Sequence, residues 1–271
     1  MTRKKTGTEV VKWEEELAKQ ADVAAKSEAS TGAGQFFSVR SGVLQFDGAP
    51  MPGNQMAVVI VDSIFENIYY DEDFDPDSPT SPACFAFGRD EDELAPHEEA
   101  VGKQNDTCAG CPNNEWGSAD KGRGKACKNT RRIALVPAGS YDGKGNLELF
   151  EDVEHYETTP IAFMKLPVTS VRGWATFVKN TANVLRRPPH GVVTRVSVVP
   201  DPKSQFKIMF EVVDELPNEL IGAVMKRREE AIGIIDFPYK ATPEEEKPTK
   251  VKNNAKLRGV KKPEAKKTFK R

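Results

Sequence analysis

Between Gly88 and Arg131 the hydrophobic pattern of this chain stops, and Gly, Asn, Asp, Lys and three of the four cysteines fill the interval. A stretch of about forty residues without apolar periodicity does not persist inside a folded domain unless it is disordered or something else holds it. The cysteines are the obvious holder. They run Cys84, twenty-three residues, Cys108-Ala-Gly-Cys111, fifteen residues, Cys127. A two-residue gap lets both thiolates of one turn face one ion, and Gly110 lets the backbone bend tightly before the second. Zinc prefers four ligands in a tetrahedron, so the pair needs two more, and Cys84 and Cys127 supply them.

Other readings of the same residues stay open. Cys84, within Ala83-Cys-Phe-Ala-Phe87, also reads as a buried core residue, with His97 then the fourth ligand. Four thiolates also suit an iron–sulfur cluster, which spacing does not exclude. A hydrolytic zinc fits less well, because catalytic sites keep an open position and use His or carboxylate ligands. His155 and His190 stand isolated and read as ordinary surface or strand residues. No run approaches the roughly 20 apolar residues that span a bilayer. Met1-Thr-Arg-Lys-Lys5 leads into no apolar segment. The expectation is a cytoplasmic, non-secreted protein whose cysteines serve a metal, not disulfides.

At 271 residues the chain is long for one small domain and short for two. Thr8–Ala29 reads as an N-terminal helix with Val10, Val11, Trp13, Leu17, Ala21 and Ala24 on one face. Strand patterns follow at 36–40, 43–46, 56–70 and 84–87, and resume at 132–137, 147–150 and 161–166. A helix is expected over 169–187, stopped by Pro188-Pro189. Two strands, 191–199 and 205–213, flank a turn, and a last helix over 218–232 takes Asn218 as its cap. This order predicts an α+β, mainly β fold: an OB-like five-stranded barrel over 32–239 with its helix between the third and fourth strands. A zinc insertion at about 84–131, the N-terminal extension over 1–31 and a disordered basic tail over 240–271 complete the expected organisation.

The net charge of −2 conceals an asymmetry: the segment from Lys240 to Arg271 carries 12 Lys or Arg against 4 Glu. A second cationic run, KGRGKACKNTRR at 121–132, contains Lys121, Arg123, Lys125, Lys128, Arg131 and Arg132 and no acid. Gly122 and Gly124 let its backbone approach a phosphate closely, which makes a phosphate-backbone surface. The same cations also serve to neutralise a zinc–tetrathiolate and the neighbouring acids. Trp116, in a polar loop, is placed either to stack a base or to pack on the metal knuckle. Phe36, Phe37, Tyr69, Tyr70, Phe85 and Phe87 are further aromatics, most of which strand alternation buries. The acids at 71–77 and 90–93 read as solvated loops, since Pro76 breaks both a strand and an EF-hand. No P-loop, HExxH or GxSxG occurs, and nothing in the sequence calls for an enzyme.

Gly34-Gln-Phe-Phe-Ser38, Cys108-Ala-Gly-Cys-Pro-Asn-Asn-Glu-Trp-Gly-Ser118 and Gly124-Lys-Ala-Cys-Lys-Asn-Thr-Arg-Arg132 resemble phage-encoded single-stranded DNA-binding proteins. That resemblance implies an OB-type fold that coats single strands in replication or recombination without catalysis. It implies replication or recombination proteins as further partners. Replicative single-strand binders commonly end in an acidic tail, whereas this tail is basic, so a recruitment role does not carry over and added phosphate affinity replaces it. Two rival classes remain: an adaptor whose zinc module docks on a host or replisome protein, and a metal-dependent nuclease. Oligomeric state is not legible in the sequence.

Overall fold

The computed structural model describes residues 20, 35–72, 80–120, 122–141 and 144–239. The helix expected over 8–29, except Gln20, which is helical, and the tail expected over 240–271 lie outside them, as do Asp73 to Asp77 and Lys121. All the described residues belong to one compact unit.

The described chain is α+β and mainly β. Its strands are β1 Gln35–Arg40, β2 Val43–Phe46, β3 Ala49–Pro50, β4 Gln55–Tyr69, β5 Cys84–Gly88, β6 Lys128–Tyr141, β7 Leu147–Leu149, β8 Ala162–Leu166, β9 Val192–Asp201 and β10 Gln205–Glu215. Its α-helices are α1 Val153–Thr158, α2 Val168–Asn180 and α3 Asn218–Ile232. Among the described residues no helix is long and apolar enough to cross a membrane.

The strands form one open sheet in the order β10-β9-β4-β6-β8-β1-β2-β3, with β5 on β4 and β7 on β6. Every pairing is antiparallel except β1 with β8. The five-stranded count expected from the sequence is therefore too small: the β1–β3 segment and the short strands β5 and β7 enlarge the sheet to ten.

Alternation along β4 explains why its sequence reads as an almost unbroken apolar run. Met56, Val58 and Ile60 enter one core with Ile133, Leu135, Met164, Leu166, Trp174 and Phe210. Ala57, Val59 and Val61 enter a second with Ala134, Val136, Phe163, Leu220, Ala223 and Val224. Both faces of the central strands are covered, so polar alternation has no place to appear. Burying each Val, Leu or Ile contributes roughly 1.5–3 kcal/mol, and the largest such set anchors the middle of the sheet.

Asn54 draws distant parts of the sheet together. Its backbone is left-handed, at φ 58°, its Nδ2 donates to Gly42 O at 2.8 Å and Val198 O at 3.0 Å, and its Oδ1 accepts from Leu44 N. Gly42 and Val198 sit at the β1–β2 turn and in β9, far apart along the strand order. The sheet therefore curls around the core that holds Met56 and Trp174.

Some elements differ from their sequence patterns. β6 runs through Pro137, which sits at a bulge where Ala138 is the extra residue between the partners of Ala57 and Val58. The helix expected over 169–187 stops at Asn180 and continues as a π-helical turn, Thr181–Leu185. There the buried Thr181 hydroxyl donates back to Phe177 O at 2.9 Å, a contact that bends helices. Asn218 does not cap α3: Pro217 holds the cap position and no side chain bonds there. Helix α1, too short for an apolar period, is capped by Asp152, which accepts from Glu154 N at 2.9 Å.

Candidate functional site

β4 and β6 pair down to Ile68 and Lys128, and β5 pairs along the other edge of β4 with Cys84 opposite Tyr69. Cys84 thus opens β5 and Cys127 immediately precedes β6, so two cysteines stand on the rigid end of the sheet. Cys108 and Cys111 sit on the turn that enters the 3₁₀ segment Pro112–Asn114. Backbone bonds from Cys108 N to Leu94 O and from Cys127 N to Asn113 O, each 2.8 Å, fix that turn over the strands. Gly110 has no left-handed backbone, so the bend there does not demand glycine.

All four cysteines are free and buried, and they line a single cavity of about 20 Å³ with Asn67, Asn113 and Asn114. Among the described residues no group of three or more His, Cys, Asp or Glu side chains is gathered as tightly as a metal site requires. The sulfurs share a cavity without being drawn to one point. Burial and mutual repulsion make this a costly place for thiolates without a cation. Burial pushes the Cys84 and Cys108 thiols up and Cys127 to about 12, and the neighbouring sulfurs push the same way. Against this, Gln104 backbone N–H bonds to Cys84, the Asn67 side chain to Cys108 and Ile68 backbone N–H to Cys127. Hydrogen-bond donors aimed at buried sulfurs favour the charged form, the form a metal binds. The four-sulfur donor set and these second-layer bonds are of the kind a tetrathiolate ion would take.

His97 does not join them. Its ring stacks on Phe85 at 5.2 Å and its Nδ1 accepts from Glu99 N, while Cys84 occupies the cavity. The reading that exchanged Cys84 for His97 is not the arrangement formed.

Beyond the cavity the chain makes a turned loop. Gly117 N and Ala119 N both donate to Gly124 O, at 3.0 and 3.2 Å. Ser118 Oγ donates to Asn113 O and Glu115 O and accepts from Ala126 N, tying the loop's two limbs to its base. Trp116 is 80% exposed, so it does not pack on the knuckle. Arg123 and Lys128 are exposed and Lys125 is half-buried. Among the described residues none of these three is ion-paired. Lys125 Nζ donates to Asn114 Oδ1 at 3.1 Å and Lys128 Nζ to Lys125 O at 2.8 Å. A Cβ at Gly122 or Gly124 would meet nothing within 4 Å, which leaves the loop's backbone open to approach.

The last two cations of the run go elsewhere. The Arg131 guanidinium lies 3.1 Å over the Phe65 ring, half-buried; burial lowers its pKa and Glu91 opposes the shift. Arg132 corrects the sequence reading. It is 3% exposed, pairs with Glu66 at 2.5 Å, and donates to Ile235 O and Phe237 O. A guanidinium so enclosed, with four of its five N–H groups bonded inside the protein, is not placed to meet a phosphate.

That enclosure was not visible in the sequence. Tyr239 OH donates to Glu66 at 2.8 Å and Lys165 Nζ to Tyr239 OH at 3.2 Å; burial first, then Glu66, raises the Tyr239 pKa. Phe36, Phe163, Lys165, Phe237 and Tyr239 line a groove of about 1180 Å³ above this cluster. Of the other aromatics, Phe37 and Phe85 are buried and Tyr70 is exposed. Asp90 to Glu93 are exposed, as a solvated loop requires.

No family model matches this chain, and neither the curated proteins nor the solved structures yield a match.

Proposed function

We propose that this protein binds single-stranded DNA without catalysis, in phage-type replication or recombination, through a zinc-stapled loop on an OB-like barrel. The observation that carries the reading is Trp116, held 80% exposed on a loop whose opposite limb presents Arg123 and Lys125. A large aromatic is kept in water at a loss unless it meets a ligand, and base stacking beside phosphate-binding cations is how sequence-tolerant single-strand binders work.

The strand order supports the barrel. Counting β4, β6, β8, β9 and β10 as strands one to five, the stretch β10-β9-β4-β6-β8 reads 5-4-1-2-3, with α2 between the third and fourth strands. The β1–β3 segment extends the edge beyond strand three, and Asn54 brings it back against strand four. The cysteine module then falls in the loop between strands one and two, a loop that OB folds use to hold oligonucleotides. Cys84, Cys108, Cys111 and Cys127 would hold zinc, whose contribution is a cross-link with no chemistry of its own. Trp116 stacks a base, and Arg123, Lys125 and Lys128 meet phosphates; Lys121 and Arg131 belong to the same cationic run of the sequence.

A fluorescence titration with single-stranded dT and duplex oligomers at two salt concentrations, with metal analysis of the same sample, tests this. One zinc per chain, preference for the single strand and a steep loss of affinity with salt are expected. Absent or salt-independent binding ends the reading, and capture of a polymerase from nuclease-treated host lysate in its place would favour an adaptor.

A further inference from the structure

We infer that Asn114 is a positioning residue that couples metal binding to nucleic-acid binding, so that each raises the protein's affinity for the other. The inference rests on the single-strand reading above.

The side-chain amide of Asn114 faces both sites at once. Its Nδ2 donates to Cys108 O at 2.8 Å, and its backbone N donates to Cys111 O at 2.9 Å. Its Oδ1 accepts from Lys125 Nζ at 3.1 Å and from Asn129 Nδ2 at 2.9 Å. Asn129 Nδ2 also donates to Asn67 Oδ1 at 2.6 Å, and the Asn67 side chain bonds the Cys108 sulfur. Two routes therefore join the metal turn to Lys125, one through the Cys108 carbonyl and one through Asn129 and Asn67, and both pass through Asn114.

The donor and acceptor inventory fixes the sense of the amides. Asn67 Oδ1 is taken by Asn129, so its Nδ2 is the group that faces the sulfur. A bound metal would hold the Cys108 turn and its carbonyl in place, and with them Asn114, which sets Lys125 at the loop surface. An ammonium has three donors, so Lys125 keeps Asn114 while it takes a phosphate oxygen. A phosphate there restrains Asn114 and hence the turn that carries Cys108 and Cys111. Linkage makes the two effects equal in size.

The test uses the full chain and a chromophoric zinc chelator, with and without a dT oligomer. In the wild-type protein the oligomer raises zinc affinity by a factor in the range of about 5–150, and zinc raises oligomer affinity by the same factor. Asn114→Ala brings that factor close to one while zinc and oligomer still bind separately, and Asn129→Ala, which cuts one route, gives an intermediate value. Lys179→Ala, an exposed cation on α2 outside the network, keeps the wild-type factor. An undiminished factor in Asn114→Ala overturns the inference. Where that variant does not fold or hold zinc, an undiminished factor in Asn129→Ala overturns it. A wild-type protein that binds zinc and oligomer with no mutual effect overturns the inference alone; one that binds no oligomer overturns the functional reading as well.

Discussion

Arg132 and Glu66 form an ion pair at 2.5 Å with side chains 4% and 0% exposed. Aromatics pack around the pair: Phe87 and Phe237 flank the guanidinium at 4.3 and 4.0 Å, and Tyr239 donates to the carboxylate. It ties β4, β6 and the segment after α3 into one cluster, and so belongs to the protein's stability.

Removing one partner leaves the other charge buried. Arg132→Ala is expected to destabilise the protein by about 3–5 kcal/mol, whereas Arg132→Met with Glu66→Leu recovers much of that. Urea unfolding of the three proteins measures it. A single variant as stable as wild type would show that the pair opens to water.

The four thiols should act as one unit. Replacing any of Cys84, Cys108, Cys111 or Cys127 with Ser is expected to drop zinc well below one per chain and to open the 95–126 segment to proteases, since structural zinc supplies folding energy. His97→Ala should keep its zinc. Elemental analysis and limited proteolysis, before and after a chelator, decide between the two sets.

Trp116→Ala should weaken dT binding by about 1–3 kcal/mol with stability within about 0.5 kcal/mol of wild type. Arg123→Ala, Lys125→Ala and Lys128→Ala should each lower the slope of log affinity against log salt by about 0.7. Titrations at several salt concentrations measure both; unchanged slopes would remove these cations from the interface.

Alkaline pH should weaken the fold through Tyr156, whose hydroxyl donates to Phe150 O at 3.1 Å and whose pKa burial pushes up to about 12. The unfolded phenol ionises near its ordinary value of 10.0, so the Tyr156 contribution is whole below pH 10 and is lost as pH rises toward 12. Tyr156→Phe should be less stable at pH 7 by about 0.5–1.5 kcal/mol and lose less stability between pH 10 and 12. Unfolding curves at pH 7, 10 and 11 check the sign.

Much of this molecule was legible in order along the chain. The β-branched run at 56–70, the apolar face expected over 169–187, and the strand patterns at 191–199 and 205–213 are local patterns, and local patterns survive in one dimension. The sharing of one cavity by Cys84, Cys108, Cys111 and Cys127 was legible for another reason: thiols at such spacings have few common destinations. Helix α1 was not, because six residues hold no apolar period, and Asn218 misled because a capping residue looks the same one position into the helix.

What tertiary structure alone decided is direction and company. KGRGKACKNTRR reads as six equal cations, yet β6 begins at Lys128. Successive side chains of a strand point to opposite faces, which sends Arg132 inward to Glu66. Trp116 against solvent, and the asparagines 67, 114 and 129 gathered from separate segments, likewise depend on where β4, β6 and the cysteine turn cross. Sequence specified the groups and their chemistry; only the crossing of distant segments determined which of them face water and which face each other.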